Sequence, residues 1–173
     1  LNLNKVIVFD AHSDVSVALL NNCQNTANYE MVKYFIADLN LTDFTLVSPD
    51  LGAYKKVDKL ATKINYKGQI ATGIKVRDLA TGQIIKSDVN TDDLKGKACI
   101  VVDDICDGGR TFIELASALK AKNAGDLYFI ASHGIFSHNA IDRLKEAGYK
   151  NVCSSNSIST IPQTEFYRSY NLF

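Results

Sequence analysis

The chain has 173 residues, 46% of them hydrophobic, which suits one ordinary domain with a filled core. Its 19 basic and 19 acidic residues cancel, so no broad field exists to hold a nucleic-acid backbone or an anionic membrane, and any anion must be bound locally. No apolar run approaches about 18 residues and no basic-then-apolar leader precedes the first strand pattern, which excludes a helical membrane span and a secretory signal from the reading. The four cysteines, Cys23, Cys99, Cys106 and Cys153, lack C-x-x-C spacing, and two lie in strand-like runs. They read as packed, reduced thiols of a cytoplasmic protein rather than a disulfide framework or a zinc site. The chain starts Leu1-Asn2-Leu3 and enters a strand pattern at once, which reads as part of something longer.

In chain order, the first apolar run is Val6 to Phe9. A helical stripe follows at Met31, Phe35 and Leu39, then a run from Phe44 to Val47 and a stripe at Val57, Leu60, Ala61 and Ile64. Ile70 to Lys75 and Ile84 to Asp88, joined by the polar loop in "VRDLATGQ", read as an antiparallel excursion with a mobile tip. The run Ala98 to Val102 precedes a stripe at Phe112, Leu115, Ala116 and Leu119; Leu127 to Ala131 precedes Ile141 and Leu144; Asn151 to Cys153 closes the series. Runs so short and uniformly apolar predict buried parallel strands, and their alternation with helices predicts an α/β doubly wound, mostly parallel sheet in a single domain. With two prolines and no Pro/Ser-rich tract, no linker divides the chain.

In such a sheet ligands sit at the carboxyl ends of strands, and these ends are polar. The first offers Asp10, His12 and Asp14; the second Ser48, Pro49, Asp50 and Gly52; a later one Asp103, Asp104 and Asp107 to Thr111; the next Ser132 and His133. In "CIVVDDICDGGRTF", Gly108 and Gly109 leave backbone amides open to an anion at a helix start, while Asp103 and Asp104 suit vicinal hydroxyls. Phosphate at the turn and a diol at the acids describe a ribose 5-phosphate. A plain helix start beside a solvated acidic strand end fits the same spacing. Lys55 and Lys56 read as an exposed helix start, Lys75 and Arg77 taken alone as a solvated hairpin face, and His12 alone as a structural histidine. His133 and His138 are spaced wrongly for a zinc pair.

Six segments together carry a resemblance. "VVDDICDGGRT" looks like the 5-phosphoribosyl-diphosphate motif of the type I phosphoribosyltransferase fold. "FDAHSD", "LVSPDLGAYKKVDKLA", "GIKVRD" and the endings "ASHGIFS" and "SSNSI" resemble, in order, segments of the carboxyl-terminal half of ribose-phosphate pyrophosphokinases. The resemblance implies transfer of the diphosphoryl group of ATP to the anomeric hydroxyl of ribose 5-phosphate, in a homo-oligomer whose preceding half supplies much of the ATP site. It assigns Mg2+ to His12 and Asp50, the ribose to Asp103 and Asp104, and the 5-phosphate to Asp107, Gly108, Gly109, Arg110 and Thr111. It gives Lys75 and Arg77 the transferring group, with His12 as a further catalytic residue. Val76 stands where a second arginine is usual, Ala53 replaces a glycine, and Arg110 intrudes where a small residue is expected. Three rivals stay open: a phosphoribosyltransferase consuming the diphosphate, a non-catalytic regulatory homologue, and the same chemistry on a larger ribose-bearing acceptor.

Overall fold

Adjacent strand residues feed opposite faces, and that alternation organises a computed structural model describing residues 3–77, 84–158 and 160–171; over residues 75–77 and 84–86 it describes the backbone alone. The elements are β1 (Val6–Phe9), α1 (Asp14–Ala18), β2 (Cys23–Thr26), α2 (Tyr29–Asp38), β3 (Phe44–Ser48), α3 (Tyr54–Lys63) and β4 (Ile70–Arg77). There follow β5 (Ile84–Val89), β6 (Ala98–Cys106), α4 (Arg110–Ala121), β7 (Leu127–Gly134), α5 (Ala140–Glu146), β8 (Tyr149–Ser155) and β9 (Tyr167–Tyr170).

Strands β3 to β9 form one sheet in the order β5-β4-β3-β6-β7-β8-β9, parallel throughout except for the β4–β5 hairpin. Leu46, Ile100, Val102, Tyr128, Ile130 and Cys153 point to one face, against Val32 and Phe35 of α2 and Val57 and Leu60 of α3. Their sequence neighbours Val47, Cys99, Val101, Phe129, Ala131 and Val152 point to the other, against Phe112, Leu115 and Leu119 of α4 and Leu144 of α5. Because both faces are covered, the strands need apolar residues at every position, which is why they read as unbroken runs. Phe129 and Phe112 have ring centroids 4.0 Å apart, and removing a core ring such as Phe129 would cost about 3–5 kcal/mol. The mostly parallel, doubly wound α/β architecture is as the sequence predicts, and so is the antiparallel excursion.

One expectation is corrected. Val6–Phe9 does not open the main sheet: β1 pairs in parallel with β2, from Val6↔Cys23 to Phe9↔Thr26, in a separate two-stranded sheet. The apolar run misleads because its strand is covered on one side only, with Ile7 57% exposed. Its crossover, through residues 10–22, includes an α1 that buries no residue and returns immediately to form the pair.

The main sheet winds in opposite directions from its middle. From β3 the chain proceeds through α3 to β4 on one side, and from β6 through α4 to β7 on the other. The reversal leaves a crevice between the carboxyl ends of β3 and β6, the place where such sheets accept ligands.

Candidate active site

His12, Asp50, Asp103 and Asp104 line one cleft of about 520 Å³ at this switch point. Asp50 follows β3, and its Oδ1 accepts from the Ala53 amide at 3.0 Å, which fixes the entry to α3. Asp103 and Asp104 lie within β6, where the Asp104 amide donates to Asp103 Oδ1 at 2.9 Å. Burial pushes the Asp103 carboxyl up to about 7, and the neighbouring Asp104 and Asp50 charges add to the effect. Burial acts on Asp104 in the same direction, but hydrogen bonds from Lys56 and His12 outweigh it and hold this carboxyl below its ordinary value. Two adjacent acids are thereby driven apart in protonation.

The β1 end reaches the cleft through side-chain bonds. Asp10 takes a left-handed φ of 42°, tolerable for a short polar residue, and its buried carboxylate accepts from Ser132 Oγ of β7. Asn28 Nδ2 donates to Ser132 Oγ at 2.8 Å, completing a buried relay. Desolvation raises the Asp10 carboxyl despite that bond and the Lys56 charge. His12 Nδ1 lies 2.6 Å from Asp104 Oδ2; an ionised carboxylate only accepts, so Nδ1 carries the hydrogen and Nε2 is the nitrogen left to act as a ligand. His133 bridges the same seam, with Nε2 3.0 Å from the Phe9 carbonyl and Nδ1 2.7 Å from Ser157 Oγ.

Beyond Cys106 the chain turns into α4. Gly109 sits at the N-cap with φ 74° and ψ 0°, offers no side-chain cap, and the first turn of α4 contains no acid. That leaves the positive end of a helix without an internal anion. A Cβ on Gly109 would touch Ala140 at 3.5 Å, whereas one on Gly108 would meet its nearest neighbour, Ser137 Oγ, at 3.9 Å. Ser137 Oγ donates to Asp107 Oδ1 at 2.5 Å and Arg143 Nη1 to the Gly108 carbonyl at 3.0 Å, so the link between β7 and α5, together with α5 itself, braces the turn. Thr111 is half-buried in the first helical turn. The Arg110 side chain is 86% exposed, and its Nε donates to Glu114 Oε1 at 2.8 Å.

Lys75 and Arg77 belong to β4, paired by backbone with Ser87 and Ile84 and separated by a register shift after Val76. Their side chains, and the loop at residues 78–83 expected to be mobile, lie outside the described residues. Among the described residues no group of three or more His, Cys, Asp or Glu is gathered to hold a metal. The Asp50 carboxylate, with His12 in the same cleft, nevertheless suits a cation such as Mg2+, which takes one or two carboxylates and completes its shell with water and substrate phosphates.

The residue that sequence reasoning misplaced is Lys56. Its Nζ donates to Asp104 Oδ2 at 3.0 Å and to the Ala11 carbonyl at 3.1 Å, and lies 3.8 Å from Asp10 Oδ1. A signal was present: Lys56 precedes buried Leu60 by one helical turn, which places it on the inward side of α3.

A model of the phosphoribosyl synthetase-associated domain matches residues 82–167. The ribose-phosphate pyrophosphokinase of Gloeobacter violaceus is 28% identical over 165 residues, 95% of this chain and 49% of that protein. That of Caldanaerobacter subterraneus subsp. tengcongensis is 34% identical over 128 residues, 74% of this chain and 39% of that protein. The chain is a homologue of the ribose-phosphate pyrophosphokinases. It spans about half the length of these relatives or less. In fold it is similar to the phosphoribosylpyrophosphate synthetase of Mycobacterium smegmatis, with a TM-score of 0.81 and 24% identity across 98% of this chain and 55% of that one. Pyrophosphokinase relatives and a phosphoribosyltransferase-like sheet are therefore found together, as the motifs predict.

Proposed function

We propose that this chain is the sugar-phosphate half, the carboxyl-terminal domain, of a two-domain ribose-phosphate diphosphokinase. The enzyme moves the diphosphoryl group of ATP to the anomeric hydroxyl of ribose 5-phosphate, giving 5-phosphoribosyl 1-diphosphate and AMP. One observation carries this reading: the Asp103–Asp104 pair lines the cleft on β6, and the strand runs on within five residues into the uncapped helix entry at Gly109, so acceptors for a diol are followed by amide donors for a phosphate.

Residues 107–111 would cradle the 5-phosphate through backbone amides and the Thr111 hydroxyl, and Asp103 and Asp104 would orient the ribose. Lys75 and Arg77 would meet the transferring diphosphoryl group, where positioned cations stabilise developing charge. Asp50 and His12 would hold Mg2+, which when bound supplies charge neutralisation and a template for the nucleotide phosphates. Alignment of the anomeric hydroxyl with the phosphorus is what the chain's own residues contribute, and no side chain need act as a nucleophile. We place the enzyme in the cytoplasm as a homo-oligomer. Among the described residues no helix is long and apolar enough to cross a membrane.

The test is AMP formation by the full-length protein supplied with ATP, Mg2+ and ribose 5-phosphate. AMP that depends on the sugar supports the reading. Free pyrophosphate released from phosphoribosyl diphosphate and a base would make the protein a phosphoribosyltransferase instead, and nucleotide binding without turnover a regulatory homologue. A second reading, a larger ribose-bearing acceptor, draws support from the open space beside Gly108 and the outward Arg110, which leave room and a cation for a substituent beyond the 5-phosphate. Ranking acceptors in the same AMP assay separates the two.

A further inference from the structure

We propose that Lys56 is a resident cation of the acidic cleft: its ammonium occupies the position between Asp10 and Asp104 that a divalent metal would otherwise take, and so keeps metal binding away from that pair. The inference goes beyond the proposed reaction and does not depend on which sugar or nucleotide the cleft accepts.

The ammonium donates two hydrogen bonds, to Asp104 Oδ2 at 3.0 Å and to the Ala11 carbonyl at 3.1 Å, and lies within ion-pair distance of Asp10 Oδ1 at 3.8 Å, so it faces oxygens from two separate chain segments. Asp10 is fixed on its other oxygen by Ser132, which Asn28 supports in turn, and Asp104 Oδ2 is shared with His12. The two carboxylates are thus held in place around the ammonium by other bonds.

Lys56 also stands between two spaces. It lines the 520 Å³ cleft together with His12 and Asp50, and a smaller pocket of about 80 Å³ behind it together with Asp10 and Asn28. Lys59 lines both as well, Lys55 the cleft, and Asp14 both, so other charges surround the site, but among the lysines it is Lys56 that bonds Asp104 and lies within ion-pair distance of Asp10. A magnesium-like ion must approach carboxylate oxygens to about 2.0–2.1 Å, and at Asp10 and Asp104 that approach would bring it against a positive charge in a partly desolvated setting. Ion and ammonium exclude one another there. Asp50 also lines the cleft but is not among the oxygens that the Lys56 ammonium faces, and is under no such restriction.

Mn2+ titration of the protein without sugar or nucleotide, followed by calorimetry and by the electron paramagnetic resonance of free Mn2+, tests this. Lys56→Met keeps the stem and removes the charge, and it should bind Mn2+ about tenfold or more tightly than the wild type, a gain that adding Asp10→Asn abolishes. Lys56→Arg should bind as the wild type does. Unchanged Mn2+ affinity in Lys56→Met would overturn the proposal. Should that variant fail to fold, Asp10→Asn in the wild-type background decides: Mn2+ affinity unaltered supports a resident ammonium, and a loss shows that metal already shares Asp10. These readings stand whether or not AMP is ever formed.

Discussion

His12 Nδ1 and Asp104 Oδ2, 92 residues apart in sequence, meet at 2.6 Å and tie a turn outside the main sheet to the strand end at its switch point. Asp104 is the hub of this arrangement, because Lys56 converges on the same oxygen. The adjacent acid has no such support, so the two should respond oppositely to loss of charge.

Asp104→Asn should therefore destabilise the protein by about 1–3 kcal/mol at pH 7, because it leaves a partly buried ammonium without its nearest carboxylate. Urea denaturation with an unchanged m-value is the measurement. Asp103→Asn, which keeps an acceptor for the Asp104 amide, should be neutral or stabilising in the same experiment.

The pH dependence follows with a definite sign. The folded-state value of Asp103 is raised, to about 7, above the ordinary value near 4, so between those limits the native state binds more protons than the unfolded chain and stability falls as pH rises. Asp103→Asn removes that contribution. Its stability relative to the wild type should climb steadily from about pH 4 to pH 7 and then level off. A constant difference across that range would show that Asp103 is not held in its neutral form.

Gly108 and Gly109 should differ sharply. Gly109→Ala has space but must hold a φ of 74°, at a cost of about 1–2 kcal/mol, whereas Gly108→Ala enters open space and should change stability by less than about 0.5 kcal/mol. Gly109→Val should also abolish ribose 5-phosphate binding in calorimetry, since its branched side chain stands at the helix entry. Undiminished affinity would remove the turn from the proposed phosphate site.

In the full-length enzyme, Lys75→Ala should lower kcat by about 10²-fold while leaving ribose 5-phosphate affinity nearly intact, as expected of a cation that meets the transferring group mainly in the transition state. Parallel losses in kcat and in sugar binding would place Lys75 in ground-state recognition.

The buried strands were legible because both of their faces are covered; Val101 and Val102 supply opposite cores and so read as an unbroken run. β2 was not legible. Its residues Cys23 to Thr26 are mostly exposed and pair with β1 alone, so neither alternation nor an apolar run marks it. β9, four residues on the sheet edge, is short and mixed in polarity for a related reason. The acids that line the cleft, Asp50, Asp103 and Asp104, could be picked out from their places at the strand ends. The role of Lys56 was only half legible: its spacing to buried Leu60 marks the inward side of α3, but its partners are 45 and 48 residues away.

The separate β1–β2 pair has a kinetic consequence. Asp10 and His12 ride on a strand that shares no ladder with the seven-stranded sheet and is attached through side-chain bonds at Ser132, His133, Lys56 and Asp104. Such a unit can open by itself at a fraction of the global unfolding free energy, taking His12 and Asp14 out of the cleft with it. Amides of residues 6–26 should then exchange with deuterium well before those of β6 and β7, and an occupant that bridges His12 and Asp104 should slow the first group selectively. Exchange at this small sheet would report occupancy of the cleft without any turnover being measured.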